Sequence, residues 1–157
     1  MVIELFTDGA SSGNPGPGGY GVILRAGQHY KELSAGYRKT TNNRMELLAV
    51  IKGLEALKNP NQEVIIYSDS KYVIDAVEKR WVYGWLQKGF KDKKNKDLWL
   101  RYLELSKLHK IRFVWVKGHA GHPENERCDQ LAVAAYKQPN LLIDSVFEVE
   151  NAKVNLL

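Results

Sequence analysis

The spacing of apolar residues changes once near the start of this chain, and that change restricts the fold more than any other feature. Up to Tyr37 the chain is written in short β-prone runs, Val2–Thr7, Gly19–Arg25 and His29–Tyr37, separated by Gly-rich or polar breaks. They predict three strands joined by hairpin-like turns. From Asn42 the pattern turns helical: in "NNRMELLAVIKGLEALKNP", Leu47, Val50, Ile51, Leu54 and Leu57 share one face, and Asn59-Pro60 is the expected stop. "EVIIYSDS" then reads as a buried strand ending at Asp69, with Ser70 placed to cap a helix over Lys71–Glu78. A short helix over Trp81–Gln87, a basic loop "KGFKDKKNK" and a helix over Asp97–Leu108 precede the last strand, "IRFVWV". "KGHAGHPEN" reads as loop, Glu124–Tyr136 as a helix entered at Pro123, and from Lys137 the periodicity fades into a tail. Three strands followed by helix-strand alternation predict a mixed α/β sheet.

At 157 residues the chain fits one domain with a real core. The segment "MVIELFTDG" has no basic lead or long apolar region, and no apolar run approaches the roughly 20 residues that span a bilayer. The only cysteine is Cys128, which excludes an intrachain disulfide and agrees with a reducing compartment. We therefore expect a cytoplasmic protein with no membrane attachment, monomeric and without an obligate protein partner. The net charge of +5 is uneven: Lys79–Lys117 holds 12 Lys/Arg against 3 Asp/Glu, net +9, and the remainder 11 against 15, net −4. Tryptophans interleave with that basic segment, a pattern that suits a nucleic-acid backbone.

If the first and fourth strands are parallel neighbours joined by the long helix, Asp8 and Asp69 end adjacent strands at the edge where α/β sheets bind ligands. Glu46 lies in the first turn of the helix between them, and Asp129 lies in the last helix. Singly, each has an ordinary role as a turn, cap or first-turn charge. Together, four clustered carboxylates repel unless cations neutralise them, and hard oxygen donors suit Mg²⁺ or Mn²⁺. Two such ions about 4 Å apart activate water and stabilise the leaving oxygen of a phosphodiester. His119, His122 and Cys128 fit no common zinc spacing. The glycine-rich stretch "FTDGASSGNPGPGGYG" lacks the lysine-serine pair and following helix of a nucleotide-binding loop, and reads as a tight connection between strands.

Four stretches, "FTDGASSGNPGPGGYGVILR", "TTNNRMELLAVIKGLEAL", "YSDSKYV" and "WVKGHAGHPENERCDQLA", make the chain similar to bacterial type 1 ribonuclease H from about Val2 to Tyr136. The resemblance implies a ribonuclease H-like α/β fold, a five-stranded mixed sheet, its first three strands antiparallel and the rest parallel, flanked by helices. It implies a catalytic domain over residues 1–137 and a tail over 138–157, flexible or docked. It further implies an endonuclease that cuts the RNA strand of an RNA/DNA hybrid with two Mg²⁺ ions, Mn²⁺ substituting, leaving a 5′-phosphate and a 3′-hydroxyl.

Carried over by motif, Asp8, Glu46, Asp69 and Asp129 match the family's metal-binding carboxylates. Asp8 would bridge the ions, Asp129 would help hold the water-activating one, and Glu46 and Asp69 the one at the leaving group. His119 matches a mobile histidine linked to proton transfer or product release, which a near-neutral pKa permits. His122 and Glu124 are expected only to order their loop.

The same resemblance assigns recognition of the RNA 2′-hydroxyl to Gly9, Ser11, Asn14, Asn42 and Lys71, with Glu46 on the scissile ribose. Lys71 stands where glutamine is common, which leaves its side-chain role open. Lys39, Thr41 and Asn95 match a phosphate pocket for the DNA strand, Lys39 replacing a frequent arginine and so weakening a bidentate grip. Trp81, Trp85 and Trp99 resemble the aromatic contacts of the family's basic protrusion, whose loop is shorter here than in some relatives. Two other readings are a nuclease of the wider superfamily acting on structured DNA and a non-catalytic hybrid-binding module. The first lacks support in "TTNNRMEL" and "GHAGHPENERCD", and the second would normally lack an acid.

Affinity for a hybrid is therefore expected to fall steeply with salt. Replacing Lys91, Lys93, Lys94 and Lys96 should flatten the slope of log Kd against log salt, and an unchanged slope would count against the basic segment as a contact.

Overall fold

A computed structural model of the protein describes residues 1–119 and 121–156, apart from the side chains of residues 119 and 154–156. Strands β1 (Val2–Ser11), β2 (Gly16–Ala26) and β3 (His29–Thr40) form the antiparallel meander. Helix α1 (Asn42–Glu55) crosses back so that β4 (Glu63–Ser68) pairs parallel to β1. Helices α2 (Lys71–Glu78), α3 (Trp81–Gln87) and α4 (Lys96–Ser106) lead to β5 (Lys110–Trp115), parallel to β4. A 3₁₀ turn (Lys117–His119), α5 (Pro123–Tyr136) and α6 (Ser145–Leu156) complete the chain. The sheet order is β3-β2-β1-β4-β5, antiparallel then parallel, as expected.

Helix α1 starts because the Thr41 hydroxyl accepts the Arg44 N–H at 3.2 Å. It stops at Glu55, four residues before the expected Asn59-Pro60 break. Leu47, Val50, Ile51 and Leu54 are buried against β1 and β2, each contributing about 2 kcal/mol of hydrophobic stabilisation. The predicted Ser70 cap forms, its hydroxyl accepting the Val73 N–H at 3.2 Å. On the opposite face α5 lies over β1, β2 and β3, where Phe6, Ile23 and Cys128 make a smaller cluster. The glycines read as a tight strand connection extend into β2: a side chain at Gly21 or at Gly36 of β3 would collide with the backbone of Cys128 or Ala135. Their missing Cβ atoms let α5 sit close on the sheet.

The tail acquires structure that its periodicity did not signal. Leu142 makes a parallel bridge to Tyr37, exchanging hydrogen bonds of 2.9 Å with Arg38 and Gly36. Asp144 then accepts Arg44 Nε at 2.7 Å, Arg44 Nη2 at 2.9 Å and the Thr40 hydroxyl at 2.7 Å, and α6 follows with Glu148 paired to Arg38 at 2.8 Å. Arg44 is 2% exposed and also holds Asp97 through two hydrogen bonds of 2.9 and 2.8 Å. The sequence shows Arg44 and Asp144 a hundred residues apart, with no periodic mark on either.

Removing one partner of a buried ion pair strands the other. Arg44→Met should cost about 3 kcal/mol in urea unfolding, because it strands Asp97 and Asp144 together. Asp144→Asn should cost less, since Arg44 keeps Asp97.

Candidate active site

The β1–β4 register pairs Phe6 with Tyr67, so Asp8 and Asp69 each stand two residues beyond that pair at the same sheet end. Glu46 joins them from the first turns of α1, and one carboxylate oxygen from each of the three lies within 4.8 Å of the others. Asp8 and Glu46 are buried and Asp69 is half-buried. The Gly9 N–H donates to Asp8 Oδ1 at 3.0 Å and makes a short hydrogen bond to Glu46 Oε1. A Cβ at Gly9 would collide with the Met45 and Glu46 backbone, so the glycine is what lets α1 bring Glu46 to the strand end. Burial pushes the Glu46 carboxyl well above the usual carboxylate range. The charges of Asp8 and Asp69 and a hydrogen bond with Asp8 add to that rise, and the Gly9 N–H opposes it. An all-oxygen set that resists full ionisation fits a hard divalent cation, which would be held by Asp8, Glu46 and Asp69.

Asp129 does not belong to this tight group among the described residues. It lies half-buried on α5, one turn after Asn125. The buried Asn125 amide donates to the Tyr67 carbonyl at 3.1 Å and the Thr7 carbonyl at 3.5 Å, tying α5 to the strand ends that carry Asp8 and Asp69. The adjacent Cys128 thiol is raised by burial first and by the Asp8 charge second. Asp129 therefore borders the same sheet end. The His119 side chain lies outside the described residues; its backbone closes the 3₁₀ turn just after β5. Glu124 accepts Arg25 Nη1 at 2.9 Å, in keeping with a loop-ordering role.

Of the positions expected to meet substrate, Asn14, Thr41 and Asn95 converge on one depression of about 370 Å³. Asn14 Oδ1 accepts the Asn42 N–H at 3.2 Å. Asn95 has a positive φ of 68°, accepts Arg44 Nη1 at 3.3 Å and donates to the Tyr72 hydroxyl at 3.0 Å. Among the described residues its second amide hydrogen has no partner and can serve a ligand. Lys39 and Ser11 are half-buried on β3 and β1. Lys71 is exposed and its ammonium sits 3.8 Å from the centre of the Trp115 ring.

The tryptophans separate into three situations. Trp81 is exposed, with Lys79 Nζ 5.2 Å from its ring. Trp85 is half-buried, meeting Lys93 Nζ at 5.2 Å and the edge of Trp99 at 6.0 Å. Trp99 is fully buried, packs against Tyr102 and donates its indole N–H to Tyr72 at 2.8 Å. The expected contact of Trp99 with deoxyribose is therefore corrected: no face of that ring reaches solvent, and its role is to support Trp85. In the basic loop, Gly89, Phe90, Asp92 and Asn95 all have positive φ, and the buried Phe90 pins the turn while Lys91, Lys93 and Lys94 point outward as exposed residues.

Arg44, Tyr72, Asn125 and Trp115 escaped the sequence reading. Only Asn125 carried a usable signal, since it precedes Asp129 by four residues and so shares its helix face.

The family model described as RNase H matches residues 1–137. The chain is 61% identical to "Ribonuclease H" of Desulforamulus reducens over 90% of this chain and 92% of that one. It is 54% identical to "Ribonuclease H" of Escherichia coli O127:H6, over 94% and 97%. Among solved structures, LC9-RNase H1 superposes with a TM-score of 0.75 at 33% identity, over 98% of this chain and 82% of that chain. LC11-RNase H1, solved in complex with an RNA/DNA hybrid, gives 0.66 at 25%, over 86% and 96%. Among the described residues no helix is long and apolar enough to cross a membrane.

Because Glu46 is raised in the folded protein, the native state binds more protons than the unfolded one above the ordinary carboxyl value of 4.5. Stability contributed by its protonation is complete below that value and is lost as pH rises through the folded pKa. In EDTA, wild-type Tm should fall through this window more than the Tm of Glu46→Gln. Parallel curves would contradict the assignment.

Proposed function

Since the chain belongs to the ribonuclease H family, we propose that it is an endonuclease hydrolysing the RNA strand of RNA/DNA hybrids, with 5′-phosphate and 3′-hydroxyl products. The observation that carries the proposal is the trio Asp8, Glu46 and Asp69, drawn to one sheet end by a parallel strand pair and a close helix. With Asp129 beside them, these residues would hold two Mg²⁺ ions, or Mn²⁺ by the same oxygen preference. When bound, the ions supply an activated water and neutralise charge on the leaving oxygen.

The chain's own contribution is position. Gly9 fixes Asp8 and Glu46 through one N–H, and Asn125 locks the two strand ends together, so the carboxylates need little rearrangement to bind cation and substrate. His119, on the turn after β5, would move protons or aid product release. Gly9 and Ser11 near the end of β1, Asn14 on the β1–β2 turn and Asn42 at the α1 entrance would read a 2′-hydroxyl through polar groups and backbone. Lys71, steadied on Trp115, would offer a cation there in place of an amide. Thr41 and Asn95 would receive a DNA phosphate with help from Lys39, and Trp81 and Trp85 would present ring faces to the DNA sugars among exposed lysines. The enzyme would act as a monomer and in the cytoplasm, a compartment that suits its single, buried cysteine.

A labelled hybrid, with DNA–DNA and RNA–RNA duplexes alongside, tests this directly. Only the hybrid should be cut, only with divalent cation, and Asp8→Asn should reduce kcat by about 10³-fold, which is about 4 kcal/mol of barrier. Full Mg²⁺-dependent cleavage by Asp8→Asn would sink the proposal.

A further inference from the structure

The depression that gathers Asn14, Thr41 and Asn95 has a second wall, made by Phe147, Glu150 and Asn151 of α6, beyond the residues matched by the family model. Helix α6 is wired to the first wall. Asp144, which precedes it, grips Arg44 and Thr40, and the same guanidinium donates to Asn95 Oδ1. The helix also brings acid to the neighbouring cations. Glu148 chelates the Arg38 guanidinium at 2.8 and 2.9 Å, and Lys39 lies near enough to lower the Glu148 pKa further. Thus α6 sets the Glu150 carboxylate in the wall of the depression, where Lys94 of the basic loop also stands, and the Glu148 carboxylate against Arg38 of β3.

Resting on the reading of this depression as the seat of a DNA-strand phosphate, we propose that α6 sets the affinity of that seat. Glu150 opposes the incoming phosphodiester by like charge, and the neighbouring Asn151 supplies an additional amide donor. The enzyme thereby carries a built-in limit on how tightly it holds the DNA strand.

The test is binding of a labelled hybrid to the metal-free 157-residue chain in EDTA at low salt, so that cleavage does not intervene. Glu150→Gln should lower Kd by about two- to five-fold, the scale of an exposed charge interaction. Glu150→Lys should lower it further and steepen the salt dependence. Asn151→Ala should raise Kd by about the same factor. Opposite signs at adjacent helix positions, one exposed and one half-buried, are not the signature of a loosened helix. Methylphosphonate linkages placed singly along the DNA strand should abolish the Glu150→Gln effect at one position only. Unchanged Kd values, equal weakening by both neutral variants, or an effect indifferent to the methylphosphonate scan would overturn the inference. Mg²⁺-dependent cleavage by the wild type, run in parallel, tests the underlying reading separately: a wild type that cuts hybrid while the variants bind alike removes only the role of α6.

Discussion

Repulsion among Asp8, Glu46 and Asp69 is the constraint that the rest of the structure accommodates. Three carboxylates within 4.8 Å, two of them buried, would disperse on a yielding scaffold. Here backbone pairing and close packing set their positions, and the Gly9 N–H bonds Asp8 and Glu46 directly. The parallel β1–β4 ladder fixes two, and the close approach of α1 over Gly9 fixes the third. Asn125 fastens α5 across both strand ends from the other side. The raised Glu46 pKa is the trace of this conflict, set first by burial and then by the charges of Asp8 and Asp69.

Around that centre the elements are joined by buried polar contacts. Arg44, almost fully buried, joins α1 to α4 through Asp97, to the tail through Asp144 and to the depression through Asn95. A buried guanidinium is stable only because nearly every direction of its fork meets an acceptor. The aromatic residues grade from surface to core in the same region. Trp81 is exposed, Trp85 is intermediate and Trp99 is enclosed, so the half-buried Trp85 ring rests on a core residue.

Most of the architecture was legible because it is written in local periodicity. The strand runs, the apolar face of α1, the Ser70 cap and the Pro123 entry of α5 each depend on neighbours within a few residues, and each appears where expected. Asp8, Glu46 and Asp69 were legible for a related reason: they stand at or near the ends of those elements, whereas Asp129 lies in the middle of α5. Trp99 was misread because a tryptophan among lysines looks the same whether its ring faces solvent or core, and only the packing of α3 against α4 by way of Trp85 and Trp99 distinguishes the two.

The amino-acid order alone therefore determined the mixed sheet, the element sequence and the identity of the carboxylates, since these follow from spacing and side-chain chemistry. Tertiary structure decided what joins residues far apart in the chain. It set which three acids form the tight group, why Gly9 cannot carry a side chain, and how a tail without clear periodicity becomes a helix in the wall of a ligand-sized depression. Those outcomes depend on buried polar pairs such as Arg44 with Asp144, whose partners are specified by position in space and leave no pattern along the sequence.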